Sequence, residues 1–125
     1  MSYQVIKINA EGLEFNDDII VESYHDQDCC EYHWLDFSTL SAQDFKDLTF
    51  DLDNFEQCIE KVDGYGIRLI SEQGIKISVP GYGSNNGYYS ANLSIVKREK
   101  HNKYTGNRVV VDISDCQSEE QGTNL

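Results

Sequence analysis

Apolar and polar residues alternate along most of this chain, which is the pattern of half-buried β-strands. The alternation predicts strands over residues 3–8, 17–25, 57–62, 66–71, 75–79, 88–98 and 108–113, with strand character also at Tyr32, Trp34 and Phe37. Turn residues at Asp63-Gly64 and Glu72-Gln73-Gly74 predict two hairpins. Pro80 predicts the end of a strand, because proline has no amide hydrogen to give to a sheet.

One segment reads as a helix. Ser41 is suited to cap its first turn, and Asp44, three residues later, completes an arrangement like a capping box. The expected helix covers residues 41–48 and buries Leu40, Phe45 and Leu48. The predicted fold class is therefore α+β, an antiparallel β-sheet of about six or seven short strands with one or two helices packed on one face.

The length of 125 residues predicts a single domain over residues 1–115, followed by a flexible acidic tail over residues 116–125. The sequence contains no apolar run long enough for a signal peptide or a membrane span. We therefore expect a soluble cytoplasmic protein that makes no membrane contact. In that compartment Cys29, Cys30, Cys58 and Cys116 are expected to be reduced thiols whose role is packing.

Charge divides the chain into two unequal halves. Residues 1–60 carry 15 acidic residues and only two basic ones, whereas residues 61–125 carry eight basic and seven acidic residues, and the formal net charge of the chain is −12. The first half is thus expected to form an acidic face. Such a charge opposes direct binding to DNA, and it fits either simple solubility, the commoner explanation, or attraction to a basic protein partner.

The polar residues that a core does not need are concentrated in two segments, residues 25–31 and 82–92. Phenol rings can stack on a flat ligand, and neighbouring amides and hydroxyls supply hydrogen bonds, although Asn86-Gly87 also has the composition of a plain hairpin turn. Arginines elsewhere in the chain are candidate phosphate partners. The predicted ligand-binding residues are His25, Glu31, Tyr82, Ser84, Asn85, Asn86, Tyr88, Tyr89, Ser90 and Asn92, with Arg68 and Arg108 as the arginines.

Catalysis and metal binding are weaker interpretations of the same residues. His25, Cys29 and His33 recur every four residues, but a zinc site usually pairs two distant ligand clusters, and the rest of the chain has no CxxC spacing. A cysteine–histidine nucleophile would need an oxyanion hole that no segment indicates. We therefore expect no metal, no cofactor and no enzymatic activity.

The two polar segments also carry a resemblance. The sequence from His25 to Glu31, HDQDCCE, followed some fifty residues later by the segment from Gly83 to Ser90, GSNNGYYS, resembles a family of small phage and bacterial domains of unknown function. The similarity spans roughly residues 17–96. It implies a phage or prophage origin, hence a location in the host cytoplasm, and small phage proteins of this kind are often counter-defence factors.

Two functions from different classes follow as hypotheses. In the first, a pocket lined by tyrosine, asparagine and serine sequesters a small nucleotide-like immune signal without cleaving it, similar to phage proteins that capture messengers of the cyclic ADP-ribose type. In the second, the acidic half imitates nucleic acid and blocks a CRISPR nuclease or another basic host defence protein. The polar segments favour the first hypothesis and the net charge favours the second. A homo-oligomer is compatible with either.

Overall fold

The strands of this protein form two β-sheets in its computed structural model. The structure describes residues 2–24, 32–84, 93–101, 108–114 and 118–119, with only the backbone at Tyr32, Ser84 and residues 118–119. In chain order the strands are β1 (Val5–Asn9), β2 (Gly12–Phe15), β3 (Ile19–Tyr24), β4 (Tyr32–Leu35), β5 (Ile59–Val62), β6 (Gly66–Ile70), β7 (Lys76–Ser84), β8 (Ser94–Glu99), β9 (Val109–Asp112) and β10 (Ser118–Glu119).

The first sheet is antiparallel and has the order β1-β2-β3-β8-β9. Its first three strands come from the N-terminal part of the chain, and its last two come from beyond residue 93. The second sheet has the order β10-β7-β6-β5, with β4 also paired to β7. All its pairs are antiparallel except that between β10 and β7.

Side chains from both sheets fill one hydrophobic core. Phe50 lies at its centre, with its ring 5.8 Å from that of Phe15 and 6.1 Å from that of Phe45. The backbone of Phe50 also exchanges two hydrogen bonds with Tyr3, of 2.9 and 2.8 Å, which attaches the N-terminus to this core. The other core side chains include Leu13, Val21 and Ile95 from the first sheet and Leu35, Ile67, Leu69 and Val79 from the second.

Most of the predicted strands are confirmed, but the described residues form ten strands in two sheets rather than six or seven in one, and two further details differ. Strand β2 was missing from the prediction, because its four residues follow the Asn9–Gly12 turn so closely that they read as part of the turn. The expected end of a strand at Pro80 is wrong, since β7 continues to Ser84. Pro80 is the last residue of β7 that pairs with β6, and Gly81 is the first that pairs with β4.

The predicted helix over residues 41–48 is a single 3₁₀ turn, Ala42–Phe45. The Ser41–Asp44 capping box is present, and Phe45 and Leu48 are buried as expected, whereas Leu40 is only half-buried. The turn does not extend because Lys46 is extended and Asp47 has a left-handed φ of 62°. Helical structure in the described part of the chain consists of 3₁₀ segments, Asn16–Asp18, Phe37–Thr39, Ala42–Phe45 and Leu52–Cys58. The antiparallel β part of the predicted α+β class is therefore confirmed, while the helical segments of the described residues are 3₁₀ rather than α.

Both predicted hairpins are confirmed, with Gly64 (φ 76°) in the turn between β5 and β6 and Gly74 (φ 83°) in the turn between β6 and β7. Part of the predicted tail is attached to the second sheet, because β10 pairs with Tyr82 and Gly83 of β7. Within the described ranges, no helix has the length and apolar character needed to cross a membrane.

A pair of glycine substitutions tests the crowded junction between β6 and β7. Gly64 and Gly66 both have positive φ values, 76° and 136°, but a Cβ at Gly66 would lie 2.2 Å from the carbonyl oxygen of Val79, whereas one at Gly64 would meet nothing within 4 Å. We expect Gly64→Ala to lower the free energy of unfolding by about 1 kcal/mol through backbone strain alone. Gly66→Ala should lower it by about 3 kcal/mol or more, because strain and overpacking add.

Urea denaturation of the two variants measures this difference directly. Equal losses for both variants would show that β6 and β7 are not packed as closely as described.

Candidate functional site

The two polar segments singled out in the sequence connect strand ends that are paired with each other. Residues 25–31 lead from Tyr24, the end of β3, to Tyr32, the start of β4. Residues 85–93 lead from Ser84, the end of β7, to Ser94, the start of β8. Tyr24 pairs with Ser94 in the first sheet, and Tyr32 pairs with Ser84 in the second. Each connection therefore joins the same two pairs of strand ends, Tyr24–Ser94 in the first sheet and Tyr32–Ser84 in the second.

Most of the predicted site residues belong to these connections and lie outside the described residues. For Ser84 the structure gives only the backbone, at the end of β7. Tyr82, Arg68 and Arg108 are described with their side chains. The predicted residues that lie outside the described ranges are His25, Glu31, Asn85, Asn86, Tyr88, Tyr89, Ser90 and Asn92.

Tyr82 lies against Trp34 at this end of the second sheet. The two residues are opposite each other on β7 and β4, with ring centroids 5.5 Å apart and ring planes tilted by 38°. Their neighbours His33 and Gly83 are buried, so strand alternation directs Trp34 and Tyr82 to the other face, where both are half-buried. The pair offers a partly exposed aromatic surface two residues before the second connection. Trp34 was not among the predicted site residues. Its position opposite Tyr82 could not be recognised from the sequence, because it depends on the register of β4 and β7.

A second aromatic residue stands at the matching end of the first sheet. Tyr24 is 46% exposed, and the guanidinium carbon of Arg108 lies 5.8 Å from the centre of its ring. Such a contact between a cation and a ring contributes about 0.5–1 kcal/mol at an exposed position. Arg108 is thus close to the start of the first connection, as a phosphate partner would need to be. Tyr24 is a site candidate that sequence reasoning missed.

Arg68 lies elsewhere. It pairs with Ser78 of β7, four residues before Tyr82 and therefore about 13 Å away along the strand. Its guanidinium donates to Glu60 at 2.9 Å, and Lys76 donates to the same carboxylate at 3.0 Å. These two cations hold the pKa of Glu60 below its usual value, with Arg68 the larger cause. The geometry accordingly associates Arg68 with Glu60 rather than with the strand ends.

The acidic face expected of residues 1–60 stays a prediction, but some of its acids meet bases from the other half of the chain in the first sheet. Strand β8, from the base-bearing half, lies directly beside β3 in the first sheet. Arg98 on β8 donates to Glu22 at 2.6 and 3.3 Å, and Lys100 donates to Glu14 at 2.6 Å. Strand pairing therefore brings bases of one half against acids of the other.

Thiol and metal chemistry find no support among the described residues. Cys58 is buried, its thiol donates to the carbonyl of Asp51 at 3.1 Å, and burial raises its pKa, which disfavours the nucleophilic thiolate. In the ranges that the structure describes, no three histidine, cysteine or acidic side chains are grouped to hold a metal ion. Cys29, Cys30 and Cys116 lie outside those ranges.

A groove of about 510 Å³ runs along β1, between that strand and the segment Ser38–Ala42. Its apolar lining includes Ile8, Leu40 and Ala42, and Lys7 is the charged residue among its described lining. That lining contains none of the predicted site residues. The groove is therefore a competing location for a ligand, and an experiment on binding has to distinguish it from the strand ends.

Comparison of the chain with protein-family models, with curated proteins and with solved structures gave no match. The resemblance to small phage and bacterial domains consequently stays a hypothesis based on the two motifs.

The carboxyl of Glu60 reports whether Arg68 is engaged in its ion pair. Because the pKa of Glu60 is lowered, this residue stays ionised to lower pH in the folded protein than in the unfolded chain. Its contribution to stability is present above the unfolded pKa and is lost as the pH falls through the folded pKa. We expect Arg68→Ala to raise the pKa of Glu60 more than Lys76→Ala does, as measured by NMR titration of the side-chain carboxyl carbon.

A pKa for Glu60 that does not change in Arg68→Ala would mean that the guanidinium is not bound to this carboxylate. Arg68 would then be available to a ligand.

Proposed function

We propose that this protein is a non-catalytic binding protein that sequesters a small nucleotide-like ligand at the strand ends Tyr24–Ser94 and Tyr32–Ser84. The observation that carries the proposal is the shared origin of the two polar segments at these pairs. The two segments are about sixty residues apart in the sequence, and the strand pairing places their ends next to each other. Loops held by a rigid sheet are where proteins commonly position binding residues.

The chemistry beside these strand ends suits a nucleotide. Tyr82 with Trp34 offers an aromatic surface on which a base would stack, an interaction worth about 1–3 kcal/mol for each base in single-stranded nucleic acid binding. Arg108 beside Tyr24 offers a cation for a phosphate. A local cation is needed because the chain as a whole has a net charge of −12, which repels anions.

The resemblance to phage domains makes a nucleotide immune signal the expected ligand, and capture of that signal would oppose a host defence. In this proposal the ligand is held by stacking and hydrogen bonds, and no bond of the ligand is broken. The protein would need to be abundant relative to the signal, since sequestration is stoichiometric.

Imitation of nucleic acid is the alternative function, and one feature favours it. Five acidic residues and a single basic one lie between residues 44 and 56, a segment of turns and 3₁₀ structure. The interleaving of acids with the bases of β8 weakens this alternative, because it neutralises part of the acidic half. A basic enzyme that copurifies with the protein would support it.

Native mass spectrometry of the protein purified from cells with active defence systems tests the first proposal. We expect a retained mass of nucleotide size in the native protein and its loss in Tyr82→Ala, Asn86→Ala and Tyr89→Ala. Tyr82→Phe keeps the ring and should keep the ligand. Ile75→Ala, one residue before the start of β7, serves as the matched control, since Ile75 is 50% exposed and lies at the end of β7 away from Ser84.

The groove along β1 supplies the discriminating variant. Ala42→Trp fills that groove and should leave the retained mass unchanged if the ligand lies at the strand ends. Loss of the ligand in Ala42→Trp, with retention in Tyr82→Ala, would relocate the site to the groove. A clean mass without ligand in the native protein would contradict sequestration itself.

The single tryptophan gives an independent readout in solution. Because Trp34 lies 5.5 Å from Tyr82, a base that stacks on this pair should quench or shift its fluorescence. Titration with a panel of linear and cyclic nucleotides should give a saturable change for the ligand identified by mass. A ligand that binds by mass but leaves the emission of Trp34 unaltered would contradict a site on this pair.

A further inference from the structure

Strand β9 forms one edge of the first sheet. On its inner side it pairs with β8, with Ile95 opposite Val111 and Lys97 opposite Val109. The amide of Ile113 donates to Leu93 at 2.9 Å, so the backbone groups of odd-numbered residues in this strand face β8. Antiparallel strands alternate the direction of their backbone groups. The amides and carbonyls of residues 108, 110 and 112 therefore face outward.

The outward edge of β9 is open over the described residues. Arg108, Val110 and Asp112 are exposed, with Val110 at 47%. Between residues 109 and 113, no described backbone or side chain hydrogen-bonds to the outward amide or carbonyl of Val110. An unpaired edge of this kind is a template for another strand.

The sequence of this edge is complementary to itself. Read from residue 108 to residue 112, it is Arg-Val-Val-Val-Asp. If two copies meet antiparallel with Val110 opposite Val110, each Arg108 lies opposite an Asp112, and Val109 lies opposite Val111. In this register the outward backbone groups of residues 108, 110 and 112 meet as directly hydrogen-bonded pairs. Charge, apolar contact and backbone pairing thus agree on one register.

We propose that a second copy of this chain docks on β9, so that the first sheets of two molecules join through a two-fold axis at Val110. The contact is isologous, and it closes after two copies because each β9 has a single free side. The joined sheet has ten strands. This proposal does not rest on ligand binding, although both proposals use Arg108.

Two other edge strands, β1 and β5, are protected in ways that β9 is not. Strand β1 carries a register shift between Val5 and Lys7 and places a lysine at its centre. Strand β5 carries Lys61 and Glu60 within its four residues. Bulges and inward or central charges are the common means by which proteins prevent pairing at an edge. The described strand β9 has valine at three consecutive positions and neither a bulge nor a proline.

Arg108 has to change its contact for the charged pairs to form. In the single molecule its guanidinium lies over Tyr24, and Tyr24 belongs to β3, two strands inward from the edge. A contact with a ring at the surface and a cross-strand ion pair have similar worth, about 0.5–1 and 0.2–1 kcal/mol. These two contacts of Arg108 therefore differ little in free energy. The ion pairs set the register, while the backbone bonds and the valines supply the attraction.

The carboxylate of Asp112 is already oriented by hydrogen bonds and can accept an ion pair from Arg108 of a second copy. Its Oδ1 accepts from the amide of Ser114 at 2.9 Å and from the hydroxyl of Ser114 at 2.6 Å. These bonds fix the carboxylate while Oδ2 receives no hydrogen bond from a described residue. Five residue pairs bury less than the ~1,200 Å² of a standard stable interface, so we expect association in the micromolar range.

Analytical ultracentrifugation of the full chain, from low to high micromolar concentration, provides the first test. The native protein should shift from monomer to dimer with concentration. Val110→Pro should remain monomeric, because it removes the outward amide without removing a bond to β8, and proline is tolerated at such an edge position. Val110→Thr keeps the amide and the branched side chain and should dimerise like the native protein.

A charge exchange tests the register. Arg108→Asp alone and Asp112→Arg alone each place like charges opposite one another twice in the dimer, and each should weaken association about tenfold or more. An equimolar mixture of the two single variants should form a heterodimer, because every unlike pair is then restored. Recovery in the mixture also shows that both variants are folded.

Three results would overturn the proposal. These are a native protein that stays monomeric at high micromolar concentration, a dimer that survives Val110→Pro, and single charge variants that fail to associate when mixed. A dimer that survives Val110→Pro would show that another surface makes the contact.

Discussion

The change of partner along β7 is the constraint on which the rest of this structure depends. Up to Pro80 this strand pairs with β6, and from Gly81 onward it pairs with β4 and β10. Pro80 suits the junction because its carbonyl accepts from Asp36 at 2.8 Å while its missing amide is not required. Gly66 permits the close approach that the junction needs. The β5–β6 hairpin, β4 and the start of the second connection are all held by this one strand.

The arrangement of strands also decides the electrostatics. A chain with a net charge of −12 would be expected to repel itself, and the first sheet reduces that cost by inserting β8 beside β3. Arg98 is only 11% exposed where it meets Glu22, so this pair is less screened by solvent than an ordinary surface ion pair. Part of the charge asymmetry of the linear chain is therefore offset where β8 lies beside β3.

The candidate site and the β9 edge have different physical origins. At the strand ends, the second sheet supplies Trp34 and Tyr82, and the first sheet supplies Tyr24. That arrangement needs both sheets to be complete. The β9 edge needs only the pairing of β9 with β8. Its self-complementarity depends on five consecutive residues, 108–112. Arg108 contributes to both features through a side chain long enough to reach either Tyr24 or a neighbouring molecule.

The sequence by itself determined most of the strands, both hairpins and the capping box at Ser41, because each depends on residues within a few positions of one another. It did not reveal that β7 passes through Pro80, since that depends on a change of partner between distant strands. The helix prediction was wrong beyond one turn because the chain leaves the helical conformation at Lys46, which is extended, and at Asp47, which has a left-handed φ. Sequence reasoning named Tyr82 but not Trp34 or Tyr24, because which side chains share a strand end is decided by register. Turns and caps depend on neighbouring residues and can be predicted from the sequence. Strand partners and register depend on which arrangement buries the whole core, so they are seen only in the tertiary structure.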